Sequence, residues 1–128
     1  MFRALIVDDH AGFRDSITAM LRTQFPQVSV GEAGDARAAL RSIRDSVTDL
    51  VLLDIKVPGG NGIELAKVIK ETSASITVVI LTVYDLPQYR QAAFRNGADC
   101  FLYKGSTSCM NDILVLVEGA ISAWQERR

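Results

Sequence analysis

Apolar positions along the chain alternate between two periods. Ala4-Leu5-Ile6-Val7 is an unbroken apolar run of strand length, cut off by Asp8-Asp9-His10. Phe13, Ile17, Met20, Leu21 and Phe25 then recur near i, i+4, i+7, i+8 and i+12, one face of a helix that Pro26 stops. Val28 to Ala33 reads as a second, edge strand. Gly34-Asp35 opens another helix, with Asp35 as N-cap and Ala36, Ala39, Leu40 and Ile43 on its buried side. Leu50-Val51-Leu52-Leu53 is apolar at every position, as befits a strand covered on both faces, and ends abruptly at Asp54. A third helix starts at Gly62, carrying Ile63, Leu65, Ala66 and Ile69. Ile76 to Leu81 is a fourth, β-branched strand ending at Thr82. Asp85-Leu86-Pro87 suggests an N-cap and an early-helix proline, and Asn96-Gly97 the end of that helix. Cys100-Phe101-Leu102-Tyr103 is the fifth strand, before Lys104. The last helix is expected from near Thr107, with Ile113, Leu114, Val117, Ala120, Ile121 and Trp124 on its inner side.

Five strands alternating with five helices over short connections argue for a parallel sheet with helices on both faces. Right-handed crossovers leave few topologies open, the flavodoxin-like order 2-1-3-4-5 among them. The pattern shows no repeat, low-complexity tract or linker, so residues 1–128 read as one domain.

Composition narrows the function class by exclusion. With 14 basic and 15 acidic residues, net charge −1, nothing draws the chain generally to nucleic acid or anionic lipid. The closing Gln125-Glu126-Arg127-Arg128 is too short for a basic arm. No apolar stretch approaches the ~20 residues that span a bilayer. The apolar N-terminus meets Asp8-Asp9 at once, unlike a signal peptide, so a cytoplasmic location and no membrane partner are expected. Cys100 and Cys109 lack metal-ligand spacing and are expected to be free, largely buried thiols.

The candidate chemistry lies at the carboxyl ends of the strands, where open α/β sheets collect their ligands. Strand one ends in Asp8 and Asp9, strand three in Asp54, strand four in Thr82, strand five in Lys104. In a 2-1-3-4-5 sheet these strands are neighbours ~4.8 Å apart, so five side chains can converge on one volume. Any one alone is more often an ordinary loop residue; their joint placement is harder to dismiss. Three converging carboxylates repel unless compensated, and Mg2+, a hard cation that keeps several waters, suits such a site. Thr82 and Lys104 offer a hydroxyl and an ammonium to an incoming phosphoryl group, and Asp54 a nucleophile. Pro58-Gly59-Gly60-Asn61-Gly62 lacks the Gly-Lys-Ser/Thr ending of a P-loop and reads as a turn. His10, the single histidine, reads as a solvated helix-start residue rather than a catalytic base.

With the acidic pair after strand one, the Asp54-Ile55-Lys56-Val57-Pro58 spacing, Thr82 and Lys104, the whole chain resembles the receiver domain of two-component response regulators. Asp8-Asp9-His10 and Ile80-Leu81-Thr82-Val83-Tyr84-Asp85 look most like the NarL/LuxR-type branch. The resemblance implies a flavodoxin-like (βα)5 doubly wound sheet of order 2-1-3-4-5. It implies that Asp54 accepts a phosphoryl group from a sensor histidine kinase. Mg2+ would be held by Asp9 and Asp54 directly, by Asp8 through water and by the main-chain carbonyl of Lys56. Thr82 and Lys104 would contact phosphoryl oxygens. Phe101 would turn into space vacated by Thr82, switching an output surface on helix four, strand five and helix five. Such a domain assists its own phosphorylation and dephosphorylation without being a turnover enzyme.

Two departures stand out. Gly105 follows Lys104 where many receivers carry a cis proline, and Val83 is bulkier than the small residue many carry there. Val83 and Tyr84 are expected to slow water attack on an aspartyl phosphate. Val115 and Leu116 fall outside the last helix's inner face, suggesting contact with another protomer or domain, such as a homodimer formed on phosphorylation. Regulators of this branch usually carry a DNA-binding domain, and no recognition helix is visible in these residues. The expectation is thus an excised receiver controlling transcription through a domain not in this chain; a stand-alone regulator acting by protein contact is the alternative. An aspartyl-nucleophile phosphatase fits worse, since Asp8-Asp9-His10 is not Asp-x-Asp.

Overall fold

Two sets of side chains, alternating along each central strand, build two cores. The structure, a computed structural model, describes residues 1–127; Arg128, the last of the closing stretch, lies outside them. The strands are β1 (Arg3–Val7), β2 (Ser29–Ala33), β3 (Leu50–Leu53), β4 (Lys56–Val57), β5 (Gly60–Asn61), β6 (Thr77–Thr82) and β7 (Cys100–Tyr103). The helices are α1 (Ala11–Gln24), α2 (Ala36–Asp45), α3 (Gly62–Thr72), α4 (Pro87–Arg95) and α5 (Cys109–Glu126). Leu5, Val7, Val51, Leu53, Val78, Ile80 and Phe101 face α2, α3 and α4 through Ala39, Ala66, Ile69 and Ala93. Ala4, Ile6, Leu50, Leu52, Val79 and Leu81 face α1 and α5 through Ile17, Leu21, Ile113 and Val117. Each fully buried Leu or Ile contributes about 2 kcal/mol, which lets the strand ends carry polar residues.

The main sheet is parallel in the order β2-β1-β3-β6-β7, the expected 2-1-3-4-5 once the two-residue strands β4 and β5 are set aside. Those two pair antiparallel, Lys56 with Asn61 and Val57 with Gly60. The expected Pro58–Gly62 turn is thus a tight hairpin with Gly59 at φ 80°. Asn61 caps α3, its side chain accepting from the Ile63 N–H. At Gly62 a Cβ would lie 2.0 Å from the Asp54 carbonyl oxygen, so only glycine lets this turn fold back under Asp54.

Asp35 caps α2 as expected, accepting from Ala38 N–H, and His10 caps α1, its Nδ1 accepting from Phe13 N–H. The expectation for Asp85 is corrected. Leu86 is the residue before α4, without a side-chain cap; Pro87 supplies the preset φ, and Asp85 pairs instead with Arg90 at 3.6 Å. The last helix starts at Cys109, because Lys104 to Ser108 form turns in which Ser108 Oγ bonds Asp112. Of the two apolar residues read as surplus on α5, Val115 is exposed but Leu116 packs against the core. Cys100 and Cys109 are free, the first half-buried and the second buried. No helix among the described residues is long and apolar enough to cross a membrane.

Candidate functional site

The parallel ladder runs one residue past the strands and thereby fixes the backbone of the polar residues that follow them. Asp8 N–H donates to Ala33 O at 3.1 Å, Asp54 N–H to Val7 O at 3.1 Å and Lys104 N–H to Thr82 O at 2.8 Å. Side chains leaving these three positions meet in one cavity of about 310 Å³, lined by Asp8, Asp9, His10, Phe13, Asp54, Val83 and Lys104.

Lys104 ties the cavity together. Its Nζ donates to Asp8 Oδ2 at 2.5 Å and to Asp54 Oδ2 at 2.7 Å, and lies 4.5 Å from the centre of the Phe13 ring. Asp8 is 3 % exposed and Asp54 7 %, so both are desolvated carboxylates that need such a partner. Burial works against the Lys104 charge, but hydrogen bonds and charges from Asp54 and Asp8 outweigh it and hold the ammonium above its ordinary range. Asp8 Oδ1 accepts from His10 N–H at 2.9 Å, which turns the other oxygen towards the lysine. Asp54 Oδ1 receives only a long 3.4 Å bond from Lys56 N–H and is the less committed oxygen. Asp9 stands exposed at the rim, in the wall of this cavity and of a neighbouring one of about 440 Å³ bounded by Lys56, Tyr84 and Tyr89.

Thr82 sits at 0 % exposure in the β6 terminus and does not line the cavity; its Oγ1 accepts from Tyr84 N–H at 3.3 Å. Lys56 Nζ lies 5.7 Å from the Tyr84 ring centre, in the groove it shares with Asp9; its pKa is raised chiefly by Tyr84, with the Asp9 charge adding to it. Phe101 is buried in the core facing α4, with the Arg90 guanidinium 4.7 Å from its ring centre. Val83 forms part of the cavity wall at 56 % exposure, whereas Tyr84 belongs to the neighbouring groove. No cis peptide bond occurs among the described residues. Gly105 instead lets the Tyr103 ring fold over it, where a Cβ would meet the Tyr103 hydroxyl at 2.2 Å.

Two contributors escaped the sequence reading. Phe13 reads as core from its helical spacing, yet its place one turn after Asp9 puts the ring on Lys104. Arg14 donates to the Asp8 carbonyl oxygen and pairs with Glu32 at 3.0 Å, bracing the acidic loop against β2. Neither signal is visible without knowing where α1 starts.

Three carboxylates against one ammonium leave an excess of negative charge here. The available donors are oxygens, from Asp9 at the rim, Asp54 and the nearby backbone, since His10 Nδ1 already accepts from Phe13 N–H. Among the described residues no three His, Cys, Asp or Glu side chains form a ready metal cage. An open, oxygen-only set with few carboxylates fits Mg2+, which retains most of its waters, better than it fits Zn2+ or Ca2+.

Residues 4–114 match the family model of the response regulator receiver domain. The chain is 33 % identical over 105 residues to the transcriptional regulatory protein NarL of Mycobacterium tuberculosis, covering 82 % of this chain and 49 % of that one. It spans about half the length of the curated relatives it matches. A CheY-like receiver domain from Methanospirillum hungatei superposes with a TM-score of 0.88 at 25 % identity, covering 100 % of this chain and 99 % of that one. The response regulator TrrA of Thermotoga maritima, solved in complex with Mg(2+)-BeF, gives 0.80 at 26 % identity, covering 94 % and 99 %.

Proposed function

The chain belongs to the response regulator receiver domain family of two-component systems, and from that premise we propose that Asp54 is its phosphoacceptor, serving a sensor histidine kinase. The observation that carries the reading is the Lys104 ammonium 2.7 Å from Asp54 in a cavity shared with Asp8 and Asp9. In the transfer an Asp54 carboxylate oxygen attacks phosphorus in line. The phosphorus–nitrogen bond of the kinase phosphohistidine breaks, and its electron pair returns to the imidazole. Lys104 follows the charge, exchanging Asp54 Oδ2 for a phosphoryl oxygen. Because Thr82 Oγ1 already accepts from Tyr84 N–H, its own proton is available for another phosphoryl oxygen. Mg2+, when bound, neutralises charge on the transferring group. We assign it to Asp9, Asp54 and the Lys56 carbonyl, with Asp8 acting through water, and the complex named for TrrA supports that assignment by kinship. The domain is a switch rather than a turnover enzyme.

Movement of Thr82 towards the phosphoryl group would open space beside it for Phe101, coupling the site to α4, β7 and α5. Leu86 just before α4, Phe94 on α4, Tyr103 on β7, and Met110 and Val115 on α5 are exposed large apolar side chains there, which favours a partner-binding output face, a second copy of the chain included. Control of transcription through a DNA-binding domain beyond these residues, in the cytoplasm, belongs to the same reading and is supported by the kinship with NarL. The test is incubation with Mg2+ and acetyl phosphate. Intact-mass measurement should show one added phosphoryl group in the wild type and none in Asp54→Asn; labelling that survives in Asp54→Asn refutes the assignment.

A further inference from the structure

Lys104 is held on three sides, and only two of them are carboxylates. The third is the face of Phe13, whose ring centre lies 4.5 Å from Nζ. Phe13 is fixed twice over: its N–H donates to His10 Nδ1 at 3.0 Å, and its ring packs on the core beneath α1. The ring therefore occupies the cavity wall whatever Lys104 does. We infer that Phe13 is a positioning residue for phosphoryl transfer, its ring seating the Lys104 ammonium in the cavity when the Asp54 carboxylate no longer can.

The inference rests on the reading of Asp54 as phosphoacceptor. During transfer one Asp54 oxygen becomes bonded to phosphorus, so the carboxylate loses its full charge and Lys104 must leave Oδ2. Asp8 continues to hold the ammonium, but one contact leaves a long flexible side chain free to swing to solvent. The attraction of an ammonium for a ring face does not depend on the charge of Asp54 and persists through the step. It is strengthened here because the Lys104 side chain is only 11 % exposed. Lys104 then needs a short displacement along the ring to meet a phosphoryl oxygen, and the cost of ordering it has already been met in folding.

Three replacements at position 13 separate this role from packing. Phe13→Leu keeps an apolar side chain without a π face. Phe13→Tyr keeps the face. Pentafluorophenylalanine keeps the shape and reverses the sign of the ring face. The rate of Asp54 labelling by acetyl phosphate in Mg2+ should fall about five-fold for leucine, at least as far for the fluorinated ring, and recover for tyrosine. Equal rates for phenylalanine and its fluorinated analogue, or a tyrosine variant as slow as leucine, overturn the inference. A second readout is independent of phosphorylation: the Lys104 ε-methylene protons should carry an upfield ring-current shift that disappears in Phe13→Leu. A wild type with this shift that takes no phosphoryl group refutes the phosphoacceptor reading, and the positioning role with it. A wild type that is labelled but indifferent to the ring refutes the positioning role alone.

Discussion

Replacing Lys104 by methionine preserves the unbranched apolar stem of the side chain while removing the ammonium that joins Asp8 to Asp54. Both carboxylates bond the same nitrogen, so their oxygens lie within about 5 Å of one another and repel by about 3 kcal/mol at an effective dielectric of about 20. Removing one partner of a buried ion pair typically costs about 3–5 kcal/mol. The cavity opens to water at Asp9 and Val83, which places the expected loss at the lower end, about 3 kcal/mol. Asp8→Asn retains an oxygen for the His10 N–H and leaves Lys104 paired with Asp54, so alone it should cost about 1 kcal/mol or less. In the double variant only one buried carboxylate remains and the repulsion disappears. Lys104→Met should therefore cost at least about 1 kcal/mol more in the wild-type background than in the Asp8→Asn background. Urea unfolding at pH 7 in chelator, followed by Trp124 fluorescence, measures all four corners of the cycle. Trp124 is the single tryptophan, edge-on to Phe2 between α5 and the sheet, and so reports loss of the core. Additivity within about 0.5 kcal/mol, a limit set by ordinary independence of distant sites, would sink the account of Lys104 as an internal counter-ion.

The same pair predicts a pH dependence. The Lys104 pKa is raised, so its contribution to stability is complete below 10.5, its ordinary value, and is lost as pH climbs through the raised value. Unfolding free energies of wild type and Lys104→Met should converge only in that alkaline window; convergence below about pH 9 contradicts it. Adding Mg2+ should stabilise Lys104→Met more than wild type, since a ligand that binds the folded state adds RT ln(1 + [L]/Kd) and no ammonium now competes for its carboxylates. Equal stabilisation in thermal melts argues against Asp54 as a ligand. Val83→Ala opens the cavity wall and should shorten the aspartyl-phosphate lifetime several-fold, whereas Tyr84→Ala, in the neighbouring groove, should shorten it less; unchanged decay in both removes them as barriers to water. Gly62→Ala sets a Cβ 2.0 Å from the Asp54 carbonyl oxygen and should cost more than about 3 kcal/mol or displace the Asp54 backbone. A variant of wild-type stability means that the turn has another way round.

The fold was legible because the inner strands β1, β3 and β6 carry unbroken apolar runs, a pattern that requires two covered faces, while β2, with Glu32 exposed, reads as an edge. Order and handedness then leave little choice. The boundaries that went astray are those set by chemistry with no periodicity. Pro58-Gly59 hides a hairpin, since two-residue strands carry no alternation to detect. Asp85 resembled a cap, but Pro87 had already preset the helix and the carboxylate went to Arg90 instead. Leu116 looked exposed from helical phase, and packing at the edge of the α5 stripe absorbed it. At the site, the positions of Asp8, Asp54 and Lys104 followed from strand ends alone. Their pairing did not, because it depends on side-chain reach across β1, β3 and β7.

That pairing changes what the carboxylates imply. From sequence, three converging acids called for an added cation; in the structure Lys104 already supplies one positive charge to the two that are buried. Of the two negative charges left in excess, one sits on Asp9, exposed at the rim, and the other stays with the buried pair Asp8 and Asp54. A divalent ion held there, as proposed, would keep most of its waters. A bound Mg2+ and the Lys104 ammonium would thus differ in depth, and only the ammonium is tethered. If Asp54 is the phosphoacceptor, the arriving phosphoryl group brings more negative charge than the carboxylate it caps, and Lys104 would be drawn outward along the Phe13 face and not expelled. On that reading its departure from Asp54 Oδ2 would be tied to phosphorylation through charge. Asp8, braced through His10 and Arg14, would remain the fixed point against which the lysine moves.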